Sequence, residues 1–231
     1  MKWRARNTLT SAGWATKSKK ERTLAMSIRK NFDEAYYQRF YVDPKTRAMG
    51  PQAFTRLGDY VCSALRYLEQ PVKRVLDLGC GLGQWRNAIE RHFPKASYRG
   101  VEVSGYLCAK FGWQEGSVID YRSRWPFDLV ICSDVLQYLD ETEARAAIDN
   151  LGRLCRGVMY FGALTELDWH ENCDQTRTDS IGYLRTGDWY RQHLAERFDN
   201  IGGGLFVSHR SPIVLYELET LAPSGKIETD C

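Results

Sequence analysis

Between residues 74 and 164, short apolar runs alternate with stretches whose apolar residues recur every three or four positions. RVLDLG (74–79), SYRGVEV (97–103), GSVI (116–119), FDLVICSDV (127–135) and GVMYFGAL (157–164) predict buried strands. QWRNAIERHF (84–93), GYLCAKFG (105–112) and DETEARAAIDNLGRLC (140–155) predict the helices or turns between them. Strands alternating with helices imply right-handed crossovers and a mainly parallel sheet covered on both faces, a doubly wound α/β domain.

The flanks differ. From 32 to 70 the pattern is helical: Phe32, Tyr36, Tyr37, Phe40 and Tyr41 fall on one face, as do Phe54, Leu57, Val61, Leu65 and Leu68, with DPKTRAMGP (43–51) as the loop between. These helices are expected to cap or flank the first strand. At the other end a helix from a Thr186 cap (TGDWYRQHLAERF) precedes two strand-like runs, GLFVS (204–208) and PIVLYELE (212–219). Only His209, Arg210 and Ser211 separate the runs, too few for a crossover, so they are expected to pair as an antiparallel hairpin at the edge of a seven-stranded sheet.

Composition narrows the class. The 231 residues are 43% hydrophobic and 26% charged, enough for one well-cored domain, and no apolar run approaches the roughly 18 residues of a membrane span. The seven cysteines are odd in number and lie mostly inside apolar runs with no CxxC pair, which predicts reduced core thiols in a cytoplasmic protein. The net charge of +3 hides an asymmetry: residues 1–30 carry nine Lys or Arg against one acid, so the remainder is mildly acidic. Residues 1–25 read as a solvated, basic, disordered arm. A nucleic-acid-binding arm, an organelle transit peptide and a start at Met26 are the alternatives.

The candidate chemistry begins at VLDLGCGLGQW (75–85), where Gly79, Gly81 and Gly83 stand at alternate positions between a strand and a helix. Such a turn at the carboxyl end of a doubly wound sheet lets a ligand approach the backbone. Glu102 follows Gly83 by nineteen positions, the spacing of a carboxylate that accepts from ribose hydroxyls, which implies an adenosine-containing ligand. A dinucleotide fingerprint needs a glycine where Gln84 stands, and no GK[ST] phosphate loop occurs. Asp77 would repel a phosphate and suits a cationic amino group.

Together DLGCGLG, Glu102, FDLVICSDVLQYL and the terminal hairpin resemble the class I S-adenosylmethionine-dependent methyltransferases over residues 70–220. The resemblance implies a Rossmann-like fold with S-adenosylmethionine as cofactor. The glycine loop would admit its methionyl part, Asp77 would hold its amino group, and Glu102, with Val103 beside it, would take the ribose hydroxyls. Adenine would lie by Ser117 and Val118. Many relatives carry Asp at the position of Ser117, so Asp120 or a backbone carbonyl is expected to take the adenine amino group. Ser133 and Asp134 would border the methyl group, and Tyr138 stands where many relatives have His. Trp85 and Tyr37 either touch the cofactor or close the core. On this reading residues 26–231 are one methyltransferase domain, with helices at 26–70, a cofactor-binding core at 71–220 and a substrate-side lid at 165–190.

That lid segment, TELDWHENCDQTRTDSIGYLRTGDWY, is long and dense in polar and aromatic residues, as functional loops are. His170 is its candidate general base, and Tyr138 is the second catalytic candidate. Asp168, His170, Glu171, Cys173 and Asp174 match no metal-ligand spacing, so no metal is expected. Arg177 and Arg185 would grip an anionic substrate or pair with the surrounding acids. The chain has no [DNS]PP[YFW] tetrapeptide and no Pro-Cys dipeptide, and its body has no basic stripe, which argues against nucleic acid as substrate. A small-molecule methyltransferase is therefore the reading adopted. A methyltransferase of RNA or protein recruited by the basic arm, and a non-catalytic cofactor-fold protein, are the alternatives; oligomeric state is left open.

Overall fold

The computed structural model describes residues 32–180 and 182–221, so the basic arm expected at 1–25 lies outside the described residues. Helix α1 (Glu34–Tyr37) runs into a wider turn (Gln38–Val42), and α2 (Pro51–Tyr67) follows. Then come β1 (Arg74–Leu78), α3 (Gln84–His92), β2 (Ser97–Glu102), α4 (Gly105–Phe111), β3 (Gln114–Glu115) and β4 (Phe127–Ser133). The remainder is α5 (Glu141–Leu154), β5 (Cys155–Gly162), α6 (Gly187–Leu194), β6 (Phe198–Asn200) and β7 (Leu205–Ser208).

The seven strands are ordered β3-β2-β1-β4-β5-β7-β6, and only β7 is reversed, antiparallel to both β5 and β6. This is the Rossmann-like, doubly wound sheet the sequence predicts, seven-stranded with one reversed strand. The side chains of β1 and β4 alternate between two cores, as strands buried on both faces require. Leu76, Leu78, Val130 and Cys132 pack with Ala147, Ile148 and Leu151 of α5. Val75, Leu129 and Ile131 pack with Val61 and Leu65 of α2 and Ile89 of α3. Leu65 and Leu129 are fully buried, each contributing roughly 1.5–3 kcal/mol. Helices α2 and α3 cross so closely that a Cβ on Gly58 would come within 2.5 Å of the Ala88 methyl.

Local chemistry sets the helix starts. Asp140 and Glu143 form a reciprocal capping box at α5, and the Thr186 side chain accepts from Trp189 N at α6, where the sequence places its cap.

Two predicted strands differ. The hairpin is β6 and β7, joined through Gly202, Gly203 and Gly204, all at positive φ. Residues 212–219 form no strand, because β7 already has β5 on one side and β6 on the other. The alternation there is real: Ile213 and Leu215 pack against the α2/α3 core while Val214, Tyr216 and Leu218 face solvent. Second, the run GSVI is not a strand. Pairing with β2 stops at Glu115, and the Ser117 side chain accepts from Ile119 N in a turn. The turn buries Val118 beneath the sheet's carboxyl edge, where Asn150 donates to its carbonyl at 2.9 Å.

Candidate functional site

At the end of β1 the chain must turn sharply and leave room. Gly79, Gly81 and Gly83 have φ of +75°, +52° and +73°, a region L side chains rarely occupy. Their surroundings differ. A Cβ on Gly79 would run into Val135, and one on Gly83 would come within 2.5 Å of the Trp113 ring. On Gly81 it would meet nothing within 4 Å. Two glycines are thus needed for packing, and the third faces open space.

Gly81 is held from both sides. Its N–H donates to Glu102 Oε2 at 2.8 Å, and its carbonyl accepts from Trp113 Nε1 at 3.0 Å. The other oxygen of Glu102 accepts from Val103 N at 2.8 Å and Ser104 N at 3.1 Å. Three backbone donors fix this buried carboxylate. Sequence reading missed Trp113; its signal was only that of a lone aromatic after Gly112.

Asp77 is 2% exposed and accepts from the Tyr98 hydroxyl. Burial pushes its carboxyl up from 3.8 to about 7, the Tyr98 bond opposes this, and the nearby Glu102 charge adds to it. Among the described residues no Lys or Arg pairs with it. A buried carboxylate of this kind favours a cationic ligand group.

Space above the loop forms a cavity that opens to solvent. Asp77, Gly79, Gly81, Glu102, Val103, Ser117, Val118 and Ser133 all line it, so the residues expected to hold a cofactor come together here. Gly83 does not line it and serves as the turn into α3. Asp120 is exposed and outside the lining, so it does not replace the acid missing at Ser117. Trp85 and Tyr37 are each buried in the core, and each borders the cavity.

Asp134 ends β4 with φ +58°, an uncommon backbone for a residue other than glycine, which costs roughly 1–3 kcal/mol. Its carboxylate is exposed toward the cavity; desolvation by the surrounding protein raises its pKa above the usual value, and hydrogen bonds from Ser133 and Gln137 oppose the shift. Ser133 Oγ donates to it at 3.1 Å.

The wall opposite comes from the N-terminal helices. Phe32, Tyr36, Tyr37, Tyr41 and Phe54 line the cavity, and Phe32 meets Tyr36 and Tyr138 edge to face at 5.0 and 5.1 Å. Ser104 Oγ donates to Phe32 O at 2.6 Å, tying this wall to the end of β2. Tyr36 donates to the Tyr138 hydroxyl at 2.8 Å, which donates to Asp179 Oδ2 at 3.2 Å. Burial raises the Tyr36, Tyr37, Tyr41 and Tyr138 hydroxyls far above their ordinary range. These shifts favour the protonated hydroxyls, and that of Tyr138 donates to Asp179 Oδ2.

Among the described residues, none of 165–190 lines the cavity, and the N-terminal helices border it. His170 is exposed on the turn Asp168–Asn172 and outside the lining. Arg177 is exposed and pairs with Asp174 at 3.5 Å. Arg185 is buried and donates to the carbonyls of Leu136 at 3.1 Å and Leu139 at 2.6 Å, so it anchors the segment and grips no substrate. Among the described residues no cluster of three or more His, Cys, Asp or Glu has metal-site geometry.

Comparison with known proteins agrees with this geometry. A family described as a methyltransferase domain matches residues 76–157. Trans-aconitate 2-methyltransferase of Deinococcus radiodurans is 30% identical over 81 residues, 32% of this chain and 31% of that protein. The match thus spans about a third of the relative's length. Among solved structures, magnesium protoporphyrin IX methyltransferase from Synechocystis with bound S-adenosylmethionine superposes with a TM-score of 0.53 at 18% identity, covering 80% of this chain and 97% of that one. The sugar N-methyltransferase KedS8 from Streptoalloteichus does so with a TM-score of 0.56 at 18% identity, covering 68% and 88%. Likeness at this identity establishes the fold.

Proposed function

By the methyltransferase domain at residues 76–157 and by its fold, the chain belongs to the class I S-adenosylmethionine-dependent methyltransferases, and from that premise we propose that it methylates a small-molecule acceptor. The observation that carries this reading is the cavity: one wall is the glycine loop with Asp77 and Glu102, the other a set of aromatic side chains that enclose it.

When bound, S-adenosylmethionine supplies a methyl group on a cationic sulfur, open to in-line displacement. Asp77 holds the amino group, and Glu102 takes the ribose hydroxyls with Val103 beside it. Ser117 and Val118 flank the adenine, and Ser133 borders the methyl group. Gly81 leaves the space that a side chain would fill. Tyr36, Tyr41 and Phe32 exclude water and orient the acceptor, since displacement depends chiefly on positioning. Asp134 replaces His170 as the general base, because it faces the cavity and His170 does not. Tyr138 is a positioning residue that links the aromatic wall to Asp179. Among the described residues no helix is long and apolar enough to cross a membrane. Cysteines scattered through apolar runs support a cytoplasmic location.

The test is incubation of the full chain with methyl-labelled S-adenosylmethionine and a host-cell extract, followed by separation of small molecules from macromolecules. Label among small molecules is expected. Label on RNA or protein would overturn the small-molecule reading in favour of recruitment by the basic arm, and failure to bind S-adenosylhomocysteine would overturn the enzyme reading itself.

A further inference from the structure

Seven aromatic side chains and four carboxylates line the cavity, and among the described residues no Lys, Arg or His does. Asp77 and Glu102 belong to the cofactor side on the reading above. Asp134 and Glu143 are left over. Asp134 sits at the carboxyl end of β4 and faces Tyr41 of the aromatic wall. Glu143 lies in the first turn of α5, where its Oε2 accepts from Asp140 N at 3.3 Å.

These surroundings select on charge. A carboxylate or phosphate entering would lose water, gain no cationic partner from the described residues of the lining, and stand among like charges. An ammonium would meet carboxylates and the negative faces of aromatic rings, an arrangement that attracts organic cations. Resting on the proposed function, we infer that the acceptor is an amine on an apolar or aromatic frame, methylated at nitrogen with Asp134 as the proton acceptor.

The step balances as follows. An entering ammonium gives one proton to the Asp134 carboxylate, which frees the nitrogen lone pair. That pair forms the new nitrogen–carbon bond while the sulfur–carbon bond breaks and its electrons stay on sulfur, leaving a neutral thioether. The product departs as a methylammonium, and the proton on Asp134 passes to water at the open mouth. The carboxyl of Asp134, raised above its ordinary value by desolvation beside the protein, is a stronger base than a fully solvated aspartate.

Calorimetry on the full chain saturated with S-adenosylhomocysteine tests this with three probes of one shape: 2-phenylethylamine, phenylacetate and 2-phenylethanol. The amine is expected to bind at least about tenfold more tightly than either other probe. Asp134→Asn, whose side chain tolerates the left-handed backbone at this position, should abolish that preference. Retained S-adenosylhomocysteine binding serves as proof that the variant folds. Equal or tighter binding of phenylacetate or the alcohol, no binding by any probe, or an unchanged preference in Asp134→Asn would overturn the inference while leaving the cofactor reading intact. Failure of S-adenosylhomocysteine to bind the wild-type chain would overturn both.

Discussion

The backbone N–H of Gly81 donates to the Glu102 carboxylate at 2.8 Å, joining the turn after β1 to the end of β2. One oxygen of Glu102 braces the glycine loop and the other is held by Val103 and Ser104. The carboxylate is therefore oriented before any ligand arrives.

Glu102→Gln replaces an acceptor by an amide whose NH2 group opposes a backbone donor on one side. Calorimetric affinity for S-adenosylhomocysteine should fall roughly 10- to 100-fold, the loss of about 1.4–2.8 kcal/mol from charge-assisted bonds. Unchanged affinity would remove Glu102 from the site.

Gly81→Ala and Gly79→Ala should separate binding from folding. Both force a side chain into a left-handed backbone, at a cost of roughly 1 kcal/mol. The Gly81 methyl meets no protein atom, so the melting temperature should fall only by a few degrees while S-adenosylhomocysteine affinity drops about tenfold or more. The Gly79 methyl strikes Val135, and that variant should lose roughly 1–3 kcal/mol more in stability through overpacking. Equal melting temperatures would contradict the assignment.

Asp77 links the site to pH. Its carboxyl rises from 3.8 unfolded to about 7 in the fold, so the fold binds this proton more tightly than the unfolded chain does. The stability this group contributes is present below about 3.8 and is lost as pH rises through about 7. Binding of a cationic amino group runs the other way, since it needs the ionised form. Affinity for S-adenosylhomocysteine should rise by up to about tenfold per pH unit below neutrality and level off above it. Asp77→Asn should flatten the profile, and a profile that stays steep in this variant would place the proton elsewhere.

Tyr138→Phe deletes the middle of the chain from Tyr36 to Asp179 and keeps the ring against Phe32. Stability should fall by about 1–2 kcal/mol as Tyr36 loses its buried acceptor. Hydrogen exchange across residues 174–180 should quicken while cofactor affinity holds. Exchange rates equal to wild type would show that this hydroxyl does not anchor the segment.

Most of the fold was legible because its signals are local. Burial of β1 and β4 on both faces made RVLDL and FDLVICS mostly apolar without strict alternation, and the Thr186 cap marked its helix. The hairpin was misassigned for the opposite reason. PIVLYELE alternates as a strand does, yet alternation reports only a half-buried extended run, and ladder partners are set by the neighbours. The three glycines at 202–204 were the overlooked turn signal.

The sequence by itself determined the cofactor side of the cavity. Asp77, the glycine turn and Glu102 stand at the ends of adjacent parallel strands, and short connections leave them no other place to go. Only the tertiary structure decided the acceptor side. Tyr36 meets Tyr138 across 102 positions and Tyr138 meets Asp179 across 41, and no periodicity carries contacts of that range. The aromatic wall, the placement of His170 outside the lining and the acidic charge of the lining's described residues arise from how the N-terminal helices close over the sheet. That closure is a property of packing, to which each segment contributes a face without specifying what it will meet.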